Sequence, residues 1–397
     1  MSRDLRLLAG AAGLSALGDF MAVFPLILHV QESTGSAFAV SALVFALWGP
    51  VVLAAGLAGA IVDRFENRMV LIVVSFAQAA VVAGMAAGAD ELWAVLPLMA
   101  LLGFGVAVSQ PAEFSLVPAA AEGGDVARAN GLMETVRSLG FTAGPLVGGA
   151  LGAAGLLRLA LAINALSFAV VGVAALVLRA RRQPATAGHD EAVRARDGFA
   201  FLFHERDLAI ALGGAVAALA VFSISVTAEP FFVTEVLDGG PLAYGVLLTS
   251  WTLGMAVGSG ALAHRVPRAS LAVGGLVAVV LQGVGIAGAA VSPVLWTAMI
   301  GFAFGGVAHG TKNVLLRTLI HDRVPEALRG RAFAAYNGAR NGAELGALAL
   351  GGIVVAAFGA RPALLIAGVG PALIGLFCLF LLTTTLERRV LHARVEG

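Results

Sequence analysis

Twelve stretches of this chain each run for about twenty residues with few charges, and that pattern constrains the fold more than any motif does. An α-helix rises about 1.5 Å per residue, so roughly 20 apolar residues span the hydrocarbon core of a bilayer. Stretches of that length lie near 7–30, 38–61, 69–88, 92–118, 127–153 and 157–179, and then near 208–234, 242–263, 269–290, 294–320, 331–357 and 361–386. Inside lipid the backbone satisfies its own N–H and C=O groups only as helices or as a closed barrel. These are continuous apolar runs, not ten-residue alternations, which selects helices. The expected fold is an all-α integral membrane protein with twelve transmembrane helices.

Composition excludes several other classes. Only 12% of the 397 residues are charged, against about a quarter in soluble domains. The 51 glycines suit helices packed closely in lipid. A net charge of +1 supplies no field for nucleic acid. Of 25 basic residues only Lys312 is lysine, which reads as a compositional bias. The one cysteine, Cys378, lies in an apolar run, so neither a disulfide framework nor a cysteine metal site is expected. The first apolar stretch is too long for a cleavable signal peptide and many more follow it. No phosphate-binding GxxxxGKS or GxxxxGKT loop, HExxH or CxxC occurs, and no strand precedes Gly103-Phe104-Gly105. An ATP-driven pump, a metal site, a cofactor and an enzyme are therefore not expected.

The arginines orient the chain. With the N-terminus in the cytoplasm, 19 arginines fall on the inner side and only Arg158 and Arg361 on the outer. Both termini are then cytoplasmic in a multi-pass protein of the cell membrane. The hydrophilic stretch 180–207 reads as a cytoplasmic linker, with a short interfacial helix around Phe199–Phe203, between six-helix bundles at 1–179 and 208–397. The halves also match each other. Arg128, Arg137 and Arg158 precede Arg331, Arg340 and Arg361 by 203 residues each, Gly148-Gly149 precedes Gly351-Gly352 by the same 203, and GAIVDR at 59–64 precedes GALAHR at 260–265 by 201. This is an internal duplication, the geometry that alternating access needs.

Gly59-Ala60-Ile61-Val62-Asp63-Arg64-Phe65-Glu66-Asn67-Arg68 resembles the cytoplasmic signature of the major facilitator superfamily, a glycine, an acid–arginine pair and further basic residues. The resemblance implies a gating role for Gly59, Asp63, Arg64 and Arg68, with Gly59 permitting close helix approach. The second copy departs from the pattern, because His264 stands where the acid belongs. Gly144, Pro145, Gly148, Gly149 and Gly152 resemble the glycine–proline motif of antiporters in that superfamily. Residues 144, 148 and 152 share one helix face, a seam for a close crossing. Gly18-Asp19, Thr34-Gly35-Ser36, Asp63-Arg64-Phe65 and Ala129-Asn130-Gly131 resemble the drug:proton antiporter branch that contains macrolide-efflux pumps and the enterobactin exporter.

An ionisable group in a membrane span costs about 2.5–3.5 kcal/mol on insertion scales and marks function by default. Asp19 sits mid-span with no basic residue within a turn, and Glu229 precedes Pro230 near the outer end of its span. These two are the proton-coupling candidates. Glu134 with Arg137, and Arg340 with Glu344, are spaced to pair on one face and to serve the gate. Glu113 and Lys312 are candidates for a bridge between the halves. Gln110, Glu113, Lys312 and Asn313 are candidate polar contacts for a substrate, and Phe24, Phe222 and Trp251, with Trp48, its apolar walls. His309 reads as a packed, hydrogen-bonded histidine. The expected partners are the bilayer, a small-molecule substrate and protons, with no nucleic acid, and the chain is expected to work as a monomer. The expected function is export of hydrophobic or amphipathic small molecules by proton antiport. An importer or uniporter of the same fold, a siderophore exporter and a non-transporting receptor are the rivals.

Overall fold

A computed structural model describes residues 1–121, 125–182, 201–202 and 204–395. Among these the regular structure is helical: α1 Arg3–Thr34, α2 Ala37–Leu53, α3 Ala55–Arg64, α4 Asn67–Ala87, α5 Leu92–Ala120, α6 Val126–Ala153, α7 Leu157–Val177, α8 Arg206–Phe222, α9 Ser225–Phe231, α10 Pro241–Val257, α11 Leu271–Ala290, α12 Leu295–Arg323, α13 Glu326–Phe358 and α14 Ala360–Val395. Most of the stretch read as a linker, with its interfacial helix, lies outside the described residues.

Local chemistry sets the ends. The Ser2 hydroxyl accepts from the Leu5 N–H at 3.0 Å and caps α1. Gly35 ends that helix in the left-handed region, φ 60°, where a side chain is strained. Ser36 then caps α2 and Asp125 caps α6. Gly359, φ 81° and ψ 170°, makes the turn between α13 and α14.

Among the described residues nine helices are long and apolar enough to cross a membrane, and α2 with α3, bent by 53° at their junction, form a tenth. The helices α6 and α12 complete the twelve stretches read from the sequence. They have the length but not the composition. Arg128, Glu134 and Arg137 interrupt α6, and His309, Lys312, Asn313 and Arg317 interrupt α12.

Contacts divide the chain into two compact units, Met1–Gly188 with Gly239–Thr249, and His189–Asp238 with Ser250–Gly397. The division departs from a cut at the linker alone, because the start of α10 packs with the first unit. Gly245 and Gly149 make this possible, since a Cβ on Gly245 would lie 2.3 Å from the Pro145 carbonyl oxygen. The first unit is built around Leu8, Leu71, Leu116, Val117, Met133 and Ala175, from α1, α4, α5, α6 and α7. In the second, Leu212, Leu276, Val279, Leu315, Leu316, Ala335 and Leu382 play the same part. Large apolar side chains such as Leu139, Ile300 and Phe380 point outward, as a lipid solvent permits.

The duplication extends to structure. Arg158 donates to Asp90 at 2.6 Å, and Arg361 donates to the Ser292 carbonyl at 3.3 Å. Each thus holds the turn before the fourth span of its own half. Trp93 and Trp296, again 203 apart, are 84% and 71% exposed at the starts of α5 and α12, the position of an interfacial aromatic belt.

Candidate functional site

The first unit encloses a polar cavity of about 20 Å³, lined by Ser15, Asp19, Ser75, Gln78, Gln110 and Glu113, among others. That is room for a water. Five helices line it: α1 brings Ser15 and Asp19, α4 brings Ser75 and Gln78, α5 brings Ser109, Gln110 and Glu113, α6 brings Arg137, and α7 adds the apolar Phe168 and Val171. Arg137 donates to Glu113 Oε2 at 3.1 Å, and its guanidinium carbon lies 5.9 Å from the centre of the Phe114 ring. Glu113 is buried and Arg137 partly so.

Asp19 has a different environment. The Asn164 amide of α7 hydrogen-bonds its carboxyl, while Oδ1 has no partner among the described residues. Ser75 Oγ and both side-chain atoms of Gln78 are likewise buried without a protein partner. Buried polar atoms are normally paired, so four such atoms on one cavity mark a site that receives something polar. The charge count is simple. With both acids ionised, Asp19, Glu113 and Arg137 sum to −1, and one proton brings the cluster to neutrality. Gly18 keeps this wall tight, because a Cβ there would come within 2.6 Å of Asn164 Oδ1 and Ser167 Oγ. The residues beside Asp19 that sequence reading passed over, Ser75, Gln78, Asn164 and Ser167, resemble ordinary helix polars until the rotation of each helix is known.

Several pairings differ from expectation. Arg137 turns to Glu113 and not to Glu134, which is exposed. A buried carboxylate gains more from a guanidinium than one that water already solvates. Arg340 forms no ion pair with Glu344 within 4 Å among the described residues, and its guanidinium carbon stands 5.9 Å from the Tyr336 ring centre. Glu113 and Lys312 each take a partner within their own unit, Arg137 and Gln282 respectively. Among the described residues Gly59 is not at a close helix contact, since a Cβ there meets no atom within 4 Å.

The signature loop does have a structural use. Arg68 donates to the carbonyls of Ala175 and Leu176 at 2.8 and 2.6 Å, two of the orphan acceptors at the end of α7. Asp4 accepts from the N–H groups of Arg179 and Ala180 just beyond, at 2.6 and 2.7 Å. Asp63 is half-buried and Arg64 exposed. The α6 glycines face α1: a Cβ on Gly144 would meet Phe20 Cβ at 2.5 Å, and one on Gly148 the Met21 carbonyl at 2.5 Å. Gly152 faces Pro25 and Pro241, and Gly149 faces Pro241. Phe24 stacks near Phe20 and meets Tyr244 edge-on at 5.8 Å.

The second unit gathers the other candidates. Lys312 is buried and donates to Gln282 Oε1 at 2.8 Å. His309 Nδ1 lies 3.2 Å from the same oxygen and 3.3 Å from Lys312 Nζ. Phe222 and Trp251 stack with centroids 5.1 Å apart, and the Trp251 ring lies 5.3 Å from that of His309. Asn313 is half-buried next to Lys312. Glu229 is buried and accepts from the Ser225 hydroxyl at 2.9 Å, one turn before it. Proline at 230 and the π-helical turn Phe232–Val236 follow directly.

Comparison with known proteins agrees with this architecture. A family model described as Major Facilitator Superfamily matches residues 8–345 and again 210–396. The chain is 27% identical over 341 residues to a protein named multidrug efflux pump Tap in Mycobacterium tuberculosis and Mycobacterium bovis, covering 80% of this chain and 79% of that one. Among solved structures, the nucleoside transporter NupG superposes with a TM-score of 0.74 at 15% identity, over 96% of this chain and 99% of that one. A bacterial homologue of the human lysosomal transporter Spinster gives 0.69 at 16% identity, over 98% of each. At such identities the structural likeness speaks for the fold alone. The chain belongs to the Major Facilitator Superfamily of membrane transporters.

Proposed function

We propose that this transporter exports hydrophobic or amphipathic small molecules in exchange for protons by alternating access, with Asp19 as the proton carrier. The observation that carries this reading is the polar cavity of the first unit, where Asp19 presents an unpartnered carboxylate oxygen beside the Glu113–Arg137 pair. A carboxyl in that place has one neutral and one charged form, and the cluster around it changes by one unit between them. The same group cannot remain uncompensated in both without cost, so loading of the proton is coupled to the state of its surroundings. Glu229, buried and held by Ser225, is a second candidate for proton transfer.

Export is supported by the relative named as a multidrug efflux pump. The apolar and aromatic residues of the spans suit drug-like cargo better than sugars. In this proposal the bundles 1–179 and 208–397 rock about the 180–207 linker, which lies in the cytoplasm with both termini. Asp63, Arg64 and Arg68 serve the inner gate, and the chain acts as a monomer in the cell membrane.

The test is efflux of a panel of dyes and antibiotics from proteoliposomes under an imposed pH gradient. Transport of at least one compound should follow the size and sign of the gradient, and Asp19→Asn should lose that dependence while inserting normally. Accumulation indifferent to the gradient in the wild type sinks proton coupling. A gradient response retained in full by Asp19→Asn removes Asp19 from it.

A further inference from the structure

We infer that Lys312, His309, Phe222 and Trp251 form a binding site for a planar aromatic carboxylate. This deepens the proposed function and rests on it for the role of the site, though not for the binding itself.

The chain writes every other basic position as arginine, 24 times, and places its single lysine here, 4% exposed in the middle of α12. Its neighbours do not neutralise it. Among the described residues no carboxylate lies within 4 Å of Lys312, and the contacts it does make are with the Gln282 carbonyl oxygen and the His309 ring. The charged groups that act on it from α13 are Arg340 and Glu344. Two cations against one acid leave this cluster one negative charge short. A buried cation without a counter-ion is costly unless it is paired, and an anionic ligand is the pair that the fold itself does not provide.

The rings define the rest of the ligand. Phe222 and Trp251 are stacked with an interplanar angle of 15° and are only half-buried, whereas His309 and Lys312 beneath them are buried. His309 stands one helical turn before Lys312, with its ring 5.3 Å from Trp251 and 5.9 Å from Phe222. Phe302, fully buried, meets Trp251 edge-on at 6.3 Å and holds it. A flat aryl group can extend this stack while a carboxylate attached to it reaches the ammonium and imidazole at its floor.

The duplication shows that this is a specialisation of the second half. At the offset of 203, Phe222 answers to Asp19 and Lys312 to Ser109. The first copy therefore carries an acid and a hydroxyl where the second carries an aromatic ring and a cation. One half is arranged for a proton and the other for an anion.

The experiment is isothermal titration calorimetry of the purified full-length protein in detergent, with protein-free micelles as blank. The probes are 2-naphthoate and its neutral analogue 2-naphthamide. The wild type should bind naphthoate more tightly by about tenfold to a hundredfold, the worth of a hydrogen bond to a charged partner. Lys312→Met should abolish that preference, and Lys312→Arg should keep most of it. Equal affinity for the two probes in the wild type overturns the inference without recourse to any variant. So does a preference that survives in Lys312→Met. Selective binding in a protein whose transport ignores the pH gradient would leave this site standing and remove only the proton coupling.

Discussion

Arg137 donates to Glu113 across 3.1 Å, and in doing so leaves Asp19, on the same cavity, without an ion-pair partner of its own among the described residues. Removing one member of a buried pair costs about 3–5 kcal/mol, because the other stays buried and charged. Arg137→Gln and Glu113→Gln should each lower the thermal stability of the purified protein by that order. The double variant should be more stable than Arg137→Gln alone, since no charge is stranded. Glu134→Gln, at an exposed position, should stay within about 0.5 kcal/mol of wild type. Equal costs for Glu134→Gln and Glu113→Gln in a thermal-shift assay would show that Arg137 pairs with Glu134 instead.

The two glycine sites that look alike in sequence should respond oppositely. A Cβ on Gly148 would sit 2.5 Å from the Met21 carbonyl oxygen, backbone that cannot move aside, whereas one on Gly59 meets open space. Gly148→Ala should destabilise by about 1–3 kcal/mol through overpacking of α6 on α1. Gly59→Ala should be neutral, or stabilising by up to about 1 kcal/mol from helix propensity. Fluorescence-detected gel filtration after heating compares them directly. A loss of stability in Gly59→Ala as large as that in Gly148→Ala contradicts this assignment.

Arg68 offers a test of what the signature loop does mechanically. Its guanidinium bridges the Ala175 and Leu176 carbonyls at the end of α7. A planar fork can serve both acceptors at once, and a lysine ammonium reaches them less well. Arg68→Ala should cost about 1–3 kcal/mol, with Arg68→Lys intermediate. If Arg68→Lys is indistinguishable from wild type in stability and transport, the bidentate contact carries no weight.

Sequence reading recovered those features that depend on one helix at a time. The length of the apolar runs and the 203-residue spacing were legible, and Arg158 and Arg361 bear comparable duties in the two halves. Asp19 stood out because a lone acid in an apolar run has few explanations. Features that depend on how helices are rotated against one another were not legible. Nothing in the spacing of Glu134 and Arg137 reveals that α5 offers Arg137 a buried acid. Gln78 and Asn164 look like tolerated polar residues until Asp19 is seen beside them. Gly59 lies in a familiar motif, yet a Cβ there meets no atom among the described residues, so the motif alone does not reveal the contact. The polar character of α6 and α12, which keeps both from passing as spans on composition, is the mark of the residues that build the two clusters.

Gly18 contributes no polar atom to the cavity and still controls its wall. An added methyl group there would press on Asn164 Oδ1 and Ser167 Oγ at 2.6 Å, and Ser167 is itself tied to Asn164, donating to its backbone carbonyl oxygen at 2.8 Å. Asn164 cannot yield without leaving the Asp19 carboxyl that it hydrogen-bonds. Gly18→Ala should therefore weaken gradient-driven efflux by about tenfold, near 1.4 kcal/mol of coupling, with Asp19 intact and the protein inserted. Combined with Asn164→Ala and Ser167→Ala, which together vacate the contested space, the same substitution should cost little beyond those two alone. Fully additive losses in proteoliposome efflux would mean that Gly18 acts through some other contact, and that Asn164 does not position the proton carrier.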